Sequence, residues 1–276
     1  MEALFSYIVW NPNPVIFDLG IIAPRWYGLL FASGFLIGLF IVRKMFLAEN
    51  APEEWLDKAF VYIVLGTVIG ARLGHVFFYD WDYYSKNLSE IPMIWRGGLA
   101  SHGAIVGIIT ALWLFSRRVS KKSTFWIMDK VVVPTALAGL FIRLGNLMNS
   151  EIVGTPTEVA WGFIFVRLDG PDGPARHPVQ LYEGFSYLLS FFIMYYVYWK
   201  TDLRKKPGFM FGLFFVLIFG FRFIWEYFKR SQGGLETAID NALSTGQVLS
   251  IPVVLMGLYY MFRPAPKVKP AKKKKK

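Results

Sequence analysis

The sequence contains no cysteine. It can therefore form no disulfide, and no step of its chemistry can run through a thiol of its own. Histidine is nearly as scarce. His75, His102 and His177 are the only three, and they are too dispersed for their spacing to suggest a metal site. Acidic residues number 19 against 30 lysines and arginines, a net charge of +11, and nowhere do carboxylates cluster in the manner of a divalent-cation site. The N-terminus lacks both a basic region and an early apolar run, with Glu2 and Asp18 preceding the first cation at Arg25. A cleavable signal peptide is not expected, so the first apolar segment is expected to remain in the protein. Neither an internal repeat nor a division into soluble domains is visible.

What is abundant is apolar surface. The chain is 55% hydrophobic with a mean hydropathy of +0.41, a composition that places it among membrane proteins. A hydrocarbon core about 30 Å thick needs roughly 20 apolar residues per helical crossing. Candidate spans lie near 26–42, 59–79, 98–115, 125–148, 182–199, 208–228 and 247–262. Because lipid offers the backbone no hydrogen bonds, segments of this length must be helices. The expected fold is all-α: a polytopic membrane protein of about seven transmembrane helices, forming a single membrane domain over 1–262. An interfacial arm over 1–25, an outer loop near 149–181 and a basic tail over 263–276 complete it. Within the outer loop, WGFIFVRLDGPDGP combines alternation with a turn cluster and predicts a short hairpin-like element or turn.

Basic residues divide unevenly between the two sides. One set of loops carries Arg43, Lys44, Lys58, Arg117, Arg118, Lys121, Lys122, Lys200, Arg204, Lys205, Lys206 and Arg263, together with the lysine-rich run from 267 to 276; the other carries only Arg25, Lys86, Arg96, Arg167, Arg176, Lys229 and Arg230. The richer side is expected to be cytoplasmic, which puts the N-terminus outside and the tail inside. The tail reads as a strip against anionic membrane lipid, with no nucleic-acid partner expected.

On this orientation the costly polar residues gather in the outer half of the spans. Arg72, His75 and His102 lie there, as do Arg143, Asn146, Gln180, Tyr182, Glu183, Arg222 and Glu226, with Tyr27 at the outer start of the first span. A charge at a helix centre costs about 2.5–3.5 kcal/mol on insertion scales. Several at one level imply a shared polar cavity or mutual pairing, and the spacing of Arg222 and Glu226 permits an ion pair. Helical periodicity puts Arg143, Asn146 and Ser150 on one face, with Gly154 close to three turns beyond Arg143. Asn149 and Ser150 are expected to be interhelical glue, whereas Arg143 and Arg222 have the paired donors that suit a phosphate. Glu151 either pairs with an arginine or caps the outer loop. In the inner half only Asp129 and Lys130 stand out.

The segments RWYGL, WRGGLASHGAIVG, RLGNLMNSEIVG, HPVQLYE, FRFIWEYF and LSTGQ, in that order, resemble the bacterial prolipoprotein diacylglyceryl transferases up to about residue 262. Ile142 and Leu147 stand where the family pattern has Gly and usually Phe, changes of packing rather than of charge. The resemblance implies functional roles for Tyr27, His102, Arg143, Asn146, Glu151, Gly154 and Arg222. It implies transfer of the diacylglyceryl group of phosphatidylglycerol to the cysteine thiol of a lipobox-containing preprolipoprotein, with release of glycerol 1-phosphate and with no cofactor. In that chemistry His102 is the candidate base for the substrate thiol, or else a structural residue at a helix start. Arg143 and Arg222 would stabilise the departing phosphate. Tyr27, Asn146, Gln180 and Tyr182 would orient the headgroup or shape the cavity, although tyrosines at this level also serve as interface-belt residues.

Two other classes remain open on sequence grounds. A transporter or flippase for a lipid or anionic substrate would carry polar residues on into the inner half of the spans. A metal-dependent headgroup transferase would need a carboxylate cluster.

Overall fold

The computed structural model describes residues 7–20, 23–230 and 243–264; the lysine tail lies outside them. In chain order the elements are β1 (Ile8–Trp10), α1 (Trp26–Ala48), α2 (Glu54–Phe78), α3 (Trp81–Tyr84), α4 (Ser101–Phe115), α5 (Thr124–Asn149), β2 (Phe163–Phe165), α6 (Val166–Asp169), α7 (Val179–Lys200), α8 (Phe209–Trp225) and α9 (Thr245–Phe262). Among the described residues six helices are long and apolar enough to cross a membrane: α1, α2, α5, α9, and α4 and α8 with their trailing turns. The seventh expected span, α7, has 22 residues, about 33 Å at the helical rise. Its composition is more polar because one face is built for the protein interior. Gln180, Glu183, Ser186, Tyr187 and Ser190 are buried, while Phe185, Leu189, Phe192 and Tyr196 are exposed. Polar inward and apolar outward is what a lipid solvent selects.

The chain forms two compact units, Leu39–Lys130 and Met1–Gly38 with Val131–Lys276. In the first, α2 and α4 meet backbone to backbone. Gly66, Gly70 and Gly74 recur every fourth residue along α2, and a Cβ on Gly74 would lie 2.6 Å from the Gly103 Cα. Lipid supplies no hydrophobic drive between helices, so close van der Waals approach of small residues does the joining. Arg72 is buried and spends its donors on the carbonyls of Glu90, Ile91, Gly97 and Gly98. Elsewhere in this unit Lys130 is also no isolated charge. Its Nζ lies 2.9 Å from Glu49 and 4.1 Å from the Trp126 ring centroid, while the Trp126 Nε1 donates to Glu49 at 2.6 Å.

In the second unit Gly212 of α8 packs directly on Gly257 of α9. The arm contributes β1, which pairs in parallel with β2 in the register Ile8 to Phe163. The hairpin-like element or turn expected over 161–174 is thus joined by a strand the sequence did not assign to it. Phe163 does bridge antiparallel to Arg176, but the strand's other edge belongs to the arm. Trp10 explains the attachment: its ring packs 5.4 Å from that of Phe163, and its Nε1 donates 2.8 Å to the Leu147 carbonyl. That carbonyl lies in the last turn of α5 and also accepts from the Ser150 N–H at 3.0 Å.

Candidate functional site

α5 stops at Asn149 because the chain then takes left-handed turns at Ser150 (φ 56°) and Ile152 (φ 56°). The expected helical face through Ser150 towards Gly154 is thus not formed beyond Asn149. Instead the chain folds back. Glu151 receives hydrogen bonds from Asn146 Nδ2 (3.2 Å) and Asn149 Nδ2 (3.2 Å), and its carbonyl accepts from Gln180 Nε2 at 2.7 Å. Glu151 caps the turn after α5; no arginine pairs with it among the described residues. The chain of contacts returns to Arg143, whose Nη1 donates to Asn146 Oδ1 at 3.3 Å. Tyr27 packs onto the same helix, where a Cβ at Gly145 would lie 2.6 Å from its ring, and it sits within the electrostatic reach of Glu151 and Arg143.

Arg143 is not an isolated cation. Its Nε lies 2.7 Å from Glu183 Oε2 on α7, and its guanidinium carbon is 5.8 Å from the Tyr187 ring centroid. Glu183 is wholly buried, and its other oxygen lies 2.9 Å from Lys229 Nζ. Lys229 in turn reaches Glu226 at 2.9 Å. Glu226 thus pairs forward, not back to Arg222 as the helical spacing suggested. The reason is local: α8 ends at Trp225 and Glu226–Phe228 forms a 3-10 turn, which swings the carboxylate towards the start of α9, where it abuts Gly246. A carboxylate is favoured there by the helix dipole.

Arg222 is left different from its neighbours. It forms no ion pair with a described residue, and its Nε is buried without a hydrogen-bond partner among them. It lies within electrostatic reach of Tyr187, as Arg143 does. Three cations, Arg143, Lys229 and Arg222, therefore share this region with the carboxylates Glu183 and Glu226 and, through Asn146, Glu151; Arg222 is the cation of the three that no described carboxylate pairs. Lys229 was not placed in the site from the sequence, and Glu183, grouped there by its depth, was given no role. The signal available for Glu183 was an acid within a span, which needs a counter-ion.

The surrounding residues are held firmly. Gln180 is fully buried. At Gly154 a Cβ would lie 2.5 Å from the His177 carbonyl, so packing alone demands glycine. The Tyr182 hydroxyl accepts from Trp161 Nε1 at 2.8 Å and lies 3.1 Å from His177 Nδ1. Burial holds the His177 pKa below that of an ordinary histidine, which favours the neutral ring, whose Nδ1 can accept a hydrogen bond from the Tyr182 hydroxyl.

His102 belongs to the other compact unit. It occupies the first turn of α4, is exposed, and its ring makes no hydrogen bond to a described residue.

The family described as "Prolipoprotein diacylglyceryl transferase" matches residues 14–263. The chain is 46% identical over 258 residues to a phosphatidylglycerol-prolipoprotein diacylglyceryl transferase of Chloroherpeton thalassium, covering 94% of each chain. A protein of the same name from Tolumonas auensis is 46% identical over 254 residues, covering 92% of this chain and 96% of its own. Another, from Porphyromonas gingivalis, is 44% identical over 268 residues, covering 94% and 95%. With its apolar helices and its buried arginine site, the chain belongs to the prolipoprotein diacylglyceryl transferase family.

Proposed function

We propose that the protein transfers the diacylglyceryl group of phosphatidylglycerol to the lipobox cysteine of a preprolipoprotein, at the outer leaflet of the bacterial cytoplasmic membrane. The thiolate sulfur attacks the glyceryl carbon that bears the phosphate. A carbon–sulfur bond forms as the carbon–oxygen bond breaks, and the electron pair leaves on the phosphate oxygen as glycerol 1-phosphate. An enzyme without cysteine suits this chemistry, because the thiol belongs to the substrate.

Such a reaction needs a cation where negative charge grows and a means of removing the thiol proton. The single observation that carries the reading is Arg222, a guanidinium with a buried Nε and no described partner, beside an arginine already neutralised by Glu183. A guanidinium that no described carboxylate pairs can grip a phosphate with paired donors and stabilise its charge most in the transition state. Arg143, held by Glu183 and Asn146, supports the same phosphate from a fixed position. Tyr27, Asn146, Glu151, Gly154, Gln180 and Tyr182 shape the lipid-headgroup site. His102, at the start of α4, takes the thiol proton, and the unpaired N–H groups of that helix end favour the resulting anion.

The test is turnover per folded molecule in detergent. Lysine at 222 keeps the charge but loses the fork, so Arg222→Lys should lower turnover by on the order of 10²–10³ with little change in thermal midpoint. Near-normal turnover in folded Arg222→Lys would sink the phosphate grip.

A further inference from the structure

We infer that Arg72 is a positioning residue for His102: it rivets the Gly97–Gly98 loop to α2 and so fixes where α4 begins. The inference rests on the reading of His102 as the thiol base.

Arg72 is 3% exposed, and no carboxylate is among its hydrogen-bond partners. A buried cation without a counter-ion is costly, and among the described residues backbone carbonyls and an aromatic ring compensate it. Nε donates to the Ile91 carbonyl (2.7 Å) and Nη2 to that of Glu90 (2.9 Å). Nη1 donates to the carbonyls of Gly97 (2.7 Å) and Gly98 (3.2 Å). The Tyr84 ring lies 4.8 Å from the guanidinium carbon. One rigid fork thus ties two separate turns of the loop to α2, which a lysine ammonium, a single point of donation, cannot span.

The loop so held runs straight into His102. The Ala100 N–H donates 2.9 Å to the Ala71 carbonyl, next to Arg72 in sequence. Gly98 has φ +72°, and a Cβ there would fall 2.5 Å from the His75 ring and 2.8 Å from Arg72 Nη1. Beyond His102, Gly103 is pressed onto Gly74. The backbone is therefore pinned on both sides of a histidine whose own ring bonds to no described residue. A base is ordinarily oriented by a third group that hydrogen-bonds its ring. Here the backbone has to supply that orientation, and Arg72 is the side chain that holds it.

The experiment is a cycle of Arg72→Lys, His102→Gln and the double variant, with thermal midpoints as controls. A base displaced by about 1 Å costs on the order of 10² in rate. Arg72→Lys should lose about that much with the phosphatidylglycerol KM little changed. Its rate should climb with pH as solution supplies thiolate directly, and the double variant should be no slower than His102→Gln. Additive losses, or a wild-type pH profile in Arg72→Lys, would overturn the inference. If Arg72→Lys does not fold, Gly98→Ala disturbs the same loop and enters the same cycle. Histidine-labelled NMR adds a readout independent of catalysis, with the His102 signal identified by its loss in His102→Gln. Arg72→Lys should shift or broaden that signal and leave His177 alone. Should His102→Gln retain full turnover, the base reading fails, and the positioning claim is decided by this spectrum: a His102 signal unmoved by Arg72→Lys overturns it.

Discussion

Glu183 Oε2 lies 2.7 Å from Arg143 Nε, while its other oxygen lies 2.9 Å from Lys229. One buried carboxylate therefore holds two cations, from the end of α5 and from the turn after α8. This is why an arginine persists in an otherwise apolar helix: it is half of a pair, fixed on its far side by Asn146. Breaking a buried pair by removing one partner leaves uncompensated charge, at a cost of roughly 3–5 kcal/mol. Glu183→Gln should accordingly lower the thermal midpoint in detergent well below that of Arg222→Lys. A Glu183→Gln protein as stable as wild type would show that the network carries no stabilisation.

A second ion pair lies outside the membrane-spanning helices and gives a pH signature. Arg176 binds Asp169 through Nε (2.6 Å) and Nη2 (3.0 Å), closing the turn between α6 and α7 that follows β2. The hydrogen bond from Arg176 lowers the Asp169 pKa below its ordinary value. A carboxylate whose folded pKa is depressed contributes stability that is present above its unfolded pKa and lost as pH falls through the folded one. The stability difference between wild type and Asp169→Asn should hold steady near neutral pH and shrink below about pH 4. A difference independent of pH would contradict the pairing.

Topology can be read cleanly because the chain has no cysteine of its own. Ser85 and Ser123 are both exposed and lie in loops expected on opposite sides. In intact cells, an impermeant thiol reagent should label Ser85→Cys and spare Ser123→Cys. The reverse pattern would invert the orientation and remove the outer-leaflet assignment.

The spans were legible because hydropathy over some twenty residues is a local property. The expected segment near 125–148 is the helix Thr124–Asn149, and that near 247–262 is Thr245–Phe262. What was not legible depends on contacts between distant residues. Nothing near Phe163 announces that its strand partner is Ile8. Nothing near Arg143 names Glu183. The Arg222–Glu226 spacing pointed to a pair that a change to a 3-10 turn prevents. Arg72 is the plainest case: four backbone carbonyls take its hydrogen bonds, and backbone carbonyls leave no mark in a sequence.

The central claim is that this chain makes a carbon–sulfur bond. Purified protein should be incubated with phosphatidylglycerol and a peptide containing a lipobox cysteine, and the peptide analysed by mass spectrometry. The account predicts a peptide heavier by one diacylglyceryl group in thioether linkage, with glycerol 1-phosphate released in equal amount and Arg222→Lys strongly impaired. An unmodified peptide in the presence of folded protein and both substrates would contradict it.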